Sequence, residues 1–461
     1  MRHGWAFWVV VCLAVGCGGL EALPESERAD TPASLEAEVE AEVWKAPGAT
    51  RWVRTVRDSV LVLGIGVDRK DNTFVALTYE SERVDLGGGV LPGSAGIGVA
   101  KYAPDGRHLW SRGFPTTGGI LPVVRAVAVD HEGNLYVTGK HFDGALSLGG
   151  TPLPSGAFLA KYAPDGRHLW SRTWAQEGPY LRPVALAVDE RHGQVVVAGN
   201  KETPGHILVG AVIARVGMAD GAGGALKPLA VSGAPVAQGL AVDPSGHLAV
   251  VGYYSETVDL GGGPLHTAHF ISPFVARYSP EGRHLWSRGL TGAEGLASGV
   301  AVTGSRIIVV GEYTGGFHFQ GQARVADGQD AFIASYSASG GEQWMRHFAY
   351  SAVAVAVDHQ NQVVVVGQYS PGDSAGGARL PFRTSDDFED NHLFVTKLER
   401  GTGKHTWSRG LFADGVLKAR GLSLTRGGEP NLLGNFELRG DFGTGPVAVP
   451  TDSAVILRLG R

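Results

Sequence analysis

The segment AKYAPDGRHLWSR occurs twice without a change, at Ala100–Arg112 and Ala160–Arg172, and a near copy, ARYSPEGRHLWSR, fills Ala276–Arg288. A chain that repeats itself at this interval is an array of like units, none of which buries its apolar face alone. The fold must therefore pack many equivalent units against one another. A repeated position is evidence of shared packing before it is evidence of chemistry.

Around the repeat runs a longer cycle. A strand ending in Val-Asp is followed by a turn, a second strand ending in Gly, a Gly-rich loop, a strand such as FLAKY, a turn, and a strand such as HLWSR. Val-Asp recurs at Val67-Asp68, Val129-Asp130, Val188-Asp189, Val242-Asp243 and Val357-Asp358, with Val302-Thr303 and Leu424-Thr425 in the same place of two further units. The gaps run from 54 residues (Asp189 to Asp243) to 67 (Asp358 to Thr425). Short strands in sequence with tight turns predict antiparallel meanders. The 69 glycines suit a chain made of turns.

Seven such units leave two remainders. Arg51-Trp52-Val53-Arg54 reads as a lone fourth strand, and Ala454–Leu459 as a third strand with no fourth after it. Together they complete one unit. The expected fold is all-β: a seven-bladed β-propeller of four-stranded antiparallel blades, closed by the N-terminal strand as the outer strand of the last blade. Closure hides strand edges that would otherwise pair with other chains. The Trp landmark recurs at Trp110, Trp170, Trp286, Trp344 and Trp407 and is expected to wedge between blades. The third full unit lacks it and has Leu226 near the expected place.

The ends read differently. Residues 1–17 are expected to be an export signal: Arg2, an apolar run over Trp5–Val15 too short to span a membrane, and Ala14-Val15-Gly16-Cys17, which resembles a bacterial lipobox with Cys17 as the lipidated residue. Cys12 and Cys17 are the only cysteines, so cleavage there excludes thiol catalysis and Cys-ligated metals in the mature chain. Residues 18–50 read as an acidic tether, with eight acidic residues against Arg28 and Lys45. Residues 51–461 form the propeller domain. The tether offsets the formal net charge of −5, which leaves the body near neutral and without the basic surface that nucleic acid requires. A monomer anchored by lipid at the bacterial outer membrane or cell surface is expected.

AVDHEGNLYVTG at Ala128–Gly139, the LGG loops and KYAPDGRHLW together resemble the SBBP-type β-propeller repeat of bacterial exported proteins. That resemblance implies architecture and location but no reaction. LERGTGKHTW at Leu398–Trp407 resembles the repeat of quinoprotein dehydrogenases, which bind pyrroloquinoline quinone with calcium on an eight-bladed ring. This sequence gives the Thr-Gly form once and has seven units.

No catalytic set stands out. The turn aspartates are expected to accept backbone N–H groups. The rim histidines His108, His168 and His284 point apart and cannot share a metal. The Gly-rich loops lack the Gly-Lys-Ser/Thr of a phosphate loop. Asp386, Asp387, Glu389 and Asp390, in the longest insertion, are the candidate calcium or partner loop; no other cofactor is expected. Tyr180, Arg182 and Tyr350 are candidate contacts on the face that carries the loops Pro115–Val124 and Ala175–Pro183. The expected function is binding or scaffolding of a protein or glycan. The alternative is an extracytoplasmic enzyme, a hydrolase, a lyase or a quinoprotein-like dehydrogenase, with its site at the channel mouth.

Overall fold

The computed structural model describes residues 46–58, 60–175, 180–203, 207–381, 392–413, 417–449 and 453–461. Cys17 and the acidic group Asp386, Asp387, Glu389 and Asp390 lie outside these residues.

Among the described residues, seven antiparallel blade sheets follow one another along the chain as the repeats require, with one small ribbon, Thr257–Asp259 with Pro264–His266, beside them. In the first blade the strands are Val60–Val67, Thr73–Tyr79, Gly96–Tyr102 and His108–Pro115, and each pairs with the next. The second blade repeats this with Val123–Val129, Leu135–His141, Gly156–Tyr162 and His168–Ala175. The innermost strands of the remaining blades are Tyr180–Asp189, Val236–Val242, Ala293–Val302, Ser351–Val357 and Leu417–Leu424. The seventh blade is composite. Leu417–Leu424, Pro430–Phe436 and Ser453–Leu459 come from the end of the chain, and Thr50–Val56 adds the outer strand.

The closure also rebuilds a turn. In an ordinary blade, a turn such as Ala103–Arg107 joins the third and fourth strands. In the seventh blade the two chain ends meet there instead. Gly48 N–H donates to Gly460 O, and Gly460 N–H to Ala49 O.

The middle strands of each blade hold the core. Thr73–Tyr79, Gly96–Tyr102, Leu135–His141 and Gly156–Tyr162 are buried at every residue. The innermost strands are largely half-buried, because one side faces the axis. Their small residues answer to crowding where strands converge: a Cβ on Gly64 would lie 2.7 Å from Val127 Cγ1 in the next blade. Every innermost strand carries an irregularity in register at the same level, at Leu63, Arg125, Val184, Gln238, Ser298, Val353 and Arg420. Such bulges re-aim one side chain and sharpen the local twist.

Edges are covered as well. The small hairpin Arg439–Asp441 with Pro446–Ala448, from the seventh blade, pairs onto the outer strand of the sixth, Phe412 opposite Asp441. Deleting Arg51–Val56 removes the closing strand and exposes the edge of Ser453–Leu459. The expected outcome is a sharply lowered Tm in a calorimetric melt, and an unaltered melting curve would contradict closure by this strand.

Candidate functional site

The repeated residues meet in one recurring arrangement. Trp110, on the outer strand of the first blade, lies over Gly166 in the second blade's turn; a Cβ there would be 2.9 Å from the indole. Its Nε1–H donates to Pro164 O at 3.0 Å. The same carbonyl accepts Lys101 Nζ at 3.2 Å, and Lys101 also pairs with Asp68 at 3.1 Å. The turn Asp, the Lys of the third strand, the Trp of the fourth and the next blade's turn thus form one network.

That network accounts for the aspartates. Asp68, Asp130, Asp189, Asp243 and Asp358 are all buried. Asp68 Oδ1 accepts the N–H groups of Lys70 and Asn72, each at 2.9 Å, and Asp130 Oδ1 those of Glu132 and Asn134. Third-strand cations face them: Lys161 is 3.9 Å from Asp130, and Lys397 3.0 Å from Asp358. Where the fifth unit has Thr303 instead of Asp, the Lys position holds neutral Ser335. The carboxylates therefore hold turns and strands together.

The rim histidines are also packing groups. His108, His168 and His284 lie against the Gly-rich loops of their own blades; a Cβ on Gly88, Gly150 or Gly262 would come within 2.5 Å of the ring. Edge contacts with Tyr102, Tyr162 and Tyr278 complete the pocket. Burial holds all three imidazoles below their ordinary pKa. The LGG loops and the HLW strands therefore belong together, because only glycine leaves room for the ring. The sequence shows both features but not this contact. Among the described residues, no group of three or more His, Cys, Asp or Glu side chains is arranged to hold a metal.

Charge is left over at the opposite face. Glu202 sits between Lys140 Nζ at 3.2 Å and Arg182 Nη1 at 3.1 Å. Lys140 Nζ also lies 5.2 Å from the Tyr180 ring centroid and 5.0 Å from that of Phe142. Arg125, the bulge residue of the second blade, joins this group. Its guanidinium is pushed below its ordinary pKa by burial and by Arg182, against the pull of Glu202. Nε of Arg125 and of Arg182 are buried without a partner. Tyr180 and Arg182 both lie at this group, whereas Tyr350 is exposed and stands just before the innermost strand of the sixth blade.

Lys140 was not among the expected contacts, although the sequence holds the signal for it. In three blades the residue at this level is a neutral one that staples the next blade: Thr78 Oγ1 donates to Pro122 O, Asn200 Nδ2 to Ala237 O, and Asn435 Nδ2 to Val60 O. A lysine breaks that rule.

The third blade departs furthest. Its fourth strand is reduced to Lys227–Pro228, opposite Ile213 and Val212. Extending that register places Ala225, not Leu226, where other blades carry the indole. Leu226 points the other way and packs on the side of Trp174. Side chains alternate along a strand, so a one-residue offset reverses the face. A cavity of about 840 Å³ lies here, lined by Arg215, Ala225, Lys227, Tyr278, Glu281 and Gly282 among others.

No family model and no curated protein sequence matches the chain, so the likeness to the SBBP repeat rests on its motifs. Three solved structures are similar in fold. A quinohemoprotein alcohol dehydrogenase from Pseudomonas putida HK5 is 10% identical, with a TM-score of 0.41 over 91% of this chain and 79% of that one. The Dos1 propeller is 8% identical, at 0.41 over 90% and 97%. Sqt1 from Chaetomium thermophilum is 9% identical, at 0.43 over 90% and 99%. The blade count rests on the strand pairing alone.

Asp68 offers a pH test of the network. Burial by itself would raise its pKa, but the bonds from Asn72 and the Lys101 pair outweigh this and hold it below the ordinary 3.8. A depressed carboxylate contributes stability above its unfolded pKa, and that stability is lost as pH falls through the folded value. Asp68→Asn should therefore lower Tm at neutral pH and flatten the Tm–pH curve below about pH 4. Curves that stay parallel for the two proteins would exclude this role.

Proposed function

We propose that the chain is an exported, lipid-anchored propeller that acts as a non-catalytic scaffold for a protein or glycan partner of the cell envelope. The contact surface in this reading is the face where the innermost strands begin. One observation carries the proposal: three cations, Arg125, Lys140 and Arg182, gather around the single carboxylate of Glu202, with Tyr180 beside them. A buried N–H without a partner costs about 1–3 kcal/mol, and an anionic group on a partner would offset that cost. Aromatic rings next to guanidinium groups are the usual anchors of binding surfaces.

The fate of the other polar groups supports binding over catalysis. The turn aspartates and rim histidines take part in holding blades together, whereas the cluster around Glu202 keeps two buried guanidinium N–H groups, those of Arg125 and Arg182, without partners. In this reading Cys17 carries the lipid, and residues 18–50 lift the ring clear of the membrane by charge repulsion and solvation.

Two experiments test this. Crosslinking in intact cells should capture a partner with the unaltered protein and lose it with Arg125→Glu/Arg182→Glu, provided the variant keeps its melting temperature. Equal capture by both proteins would remove this face from consideration. Separately, Cys17→Ala should move the protein from the membrane to the soluble fraction, and continued membrane retention would rule out the lipid anchor.

A further inference from the structure

We propose that the outer seam between the third and fourth blades is a binding site for an indole ring that carries an anionic group. The other six seams define what fits. Trp52, Trp110, Trp170, Trp286, Trp344 and Trp407 lie against Gly106, Gly166, Gly221, Gly340, Gly403 and Gly48 of the following blade's turn. All six glycines are buried. In five of the six seams the indole Nε1–H donates to a carbonyl of that turn, at 2.7–3.1 Å.

The seventh seam keeps the receiving half of this arrangement and lacks the indole. Its turn, Ser279–Arg283, has the same glycine, Gly282, with φ +89°. Gly282 is exposed, and nothing lies within 4 Å of the position its Cβ would take. The acceptor is present as well. Pro280 O accepts Arg215 Nε at 3.1 Å, as Pro164 O accepts Lys101 and Met218 O accepts Lys161. In those two seams the same oxygen also takes an indole N–H. Ala225 stands where the register of the facing strand Lys227–Pro228 extends, so the seam has the form of a Trp-to-Ala replacement made by the sequence itself.

The cavity left behind measures about 840 Å³, within the roughly 300–1,000 Å³ common for small-molecule sites. Its inner wall is apolar: Ile213, Leu229, Leu248, Leu260 and Tyr278 are all buried. Its polar wall carries Arg215, Lys227 and Arg283 with one lining carboxylate, Glu281, while Asp189 acts on Arg215 from outside the cavity. An indole would place its ring over Gly282 and its N–H on Pro280 O, with an acidic substituent facing the cations. This site is independent of the channel-face cluster and of its partner.

The test measures binding of indole-3-acetate, tryptamine and a peptide ending in Trp to the full chain, by ligand-observed NMR. Indole-3-acetate should bind, and tryptamine should bind about tenfold more weakly because its charge is reversed. The peptide arm separates a free ligand from the C-terminus of a protein: preference for the peptide assigns the site to a protein end, and preference for indole-3-acetate assigns it to a small molecule. Ala225→Trp should abolish all binding and raise Tm, since it supplies the indole internally. Lys227→Glu, on an exposed strand, serves if Ala225→Trp does not fold; it should weaken indole-3-acetate about tenfold and leave unsubstituted indole unchanged. Absence of binding by every probe, or binding that Ala225→Trp leaves intact, would overturn the proposal.

Discussion

The ring depends on one contact made blade by blade: an indole laid over a glycine in the next blade's turn. A side chain of any kind on that glycine would collide with the ring; at Gly403 a Cβ would lie 2.5 Å from Trp344. The glycines also sit at positive φ, where L side chains are strained. Each turn is therefore glycine for two reasons, its backbone angle and its neighbour. Truncation of a buried indole costs about 3–5 kcal/mol, which applies to Trp52, Trp286 and Trp344; Trp110, Trp170 and Trp407 are half-buried and contribute less.

Electrostatics reinforces the same joint. In three blades the third-strand cation, Lys101, Lys161 or Arg458, bonds the same carbonyl of the next blade's turn that receives the indole. Arg458 shows how far this extends in the composite blade: its guanidinium reaches Asn431 Oδ1, Pro104 O, Asp71 O and Thr73 Oγ1. One cation there ties the C-terminal strands to the first blade, and it also lies 5.6 Å from the Trp52 ring of the N-terminal strand. A buried guanidinium with this many acceptors keeps its charge satisfied, whereas removal of the acceptors would leave an uncompensated charge.

Functional capacity lies where this scheme is broken. Most carboxylates, imidazoles and lysines of the repeats are used up in joints. Lys140 replaces a neutral staple and brings Glu202, Arg182 and Tyr180 into one cluster. Ala225 replaces an indole and opens a seam. In a ring of near-identical joints, both departures leave charged groups outside the joints: Arg182 is half-buried beside Lys140, and Lys227 is exposed beside Ala225.

Much of this was legible in the chain itself. The strand cycle, the count of seven, the two complementary remainders and the missing Trp of the third unit all follow from spacing and period-two alternation. Asp68 and its equivalents could be read as turn residues because Gly or Asn follows three or four residues on. Contacts between units were not legible. That Gly88 is glycine because His108 lies on it, or that Trp110 meets Gly166, depends on how adjacent strands and blades are rotated, and spacing along the chain carries no such angle. The face of Ala225 was also hidden, since a single residue of register decides it. The sequence by itself determined how many blades there are and what each is made of, because strand length, turns and side-chain alternation are local properties. Only the tertiary structure decided which of the repeated polar groups are consumed and which remain, because satisfaction of a buried charge or hydrogen bond is settled by neighbours some sixty residues away or more, as with Lys140 and Glu202, 62 residues apart.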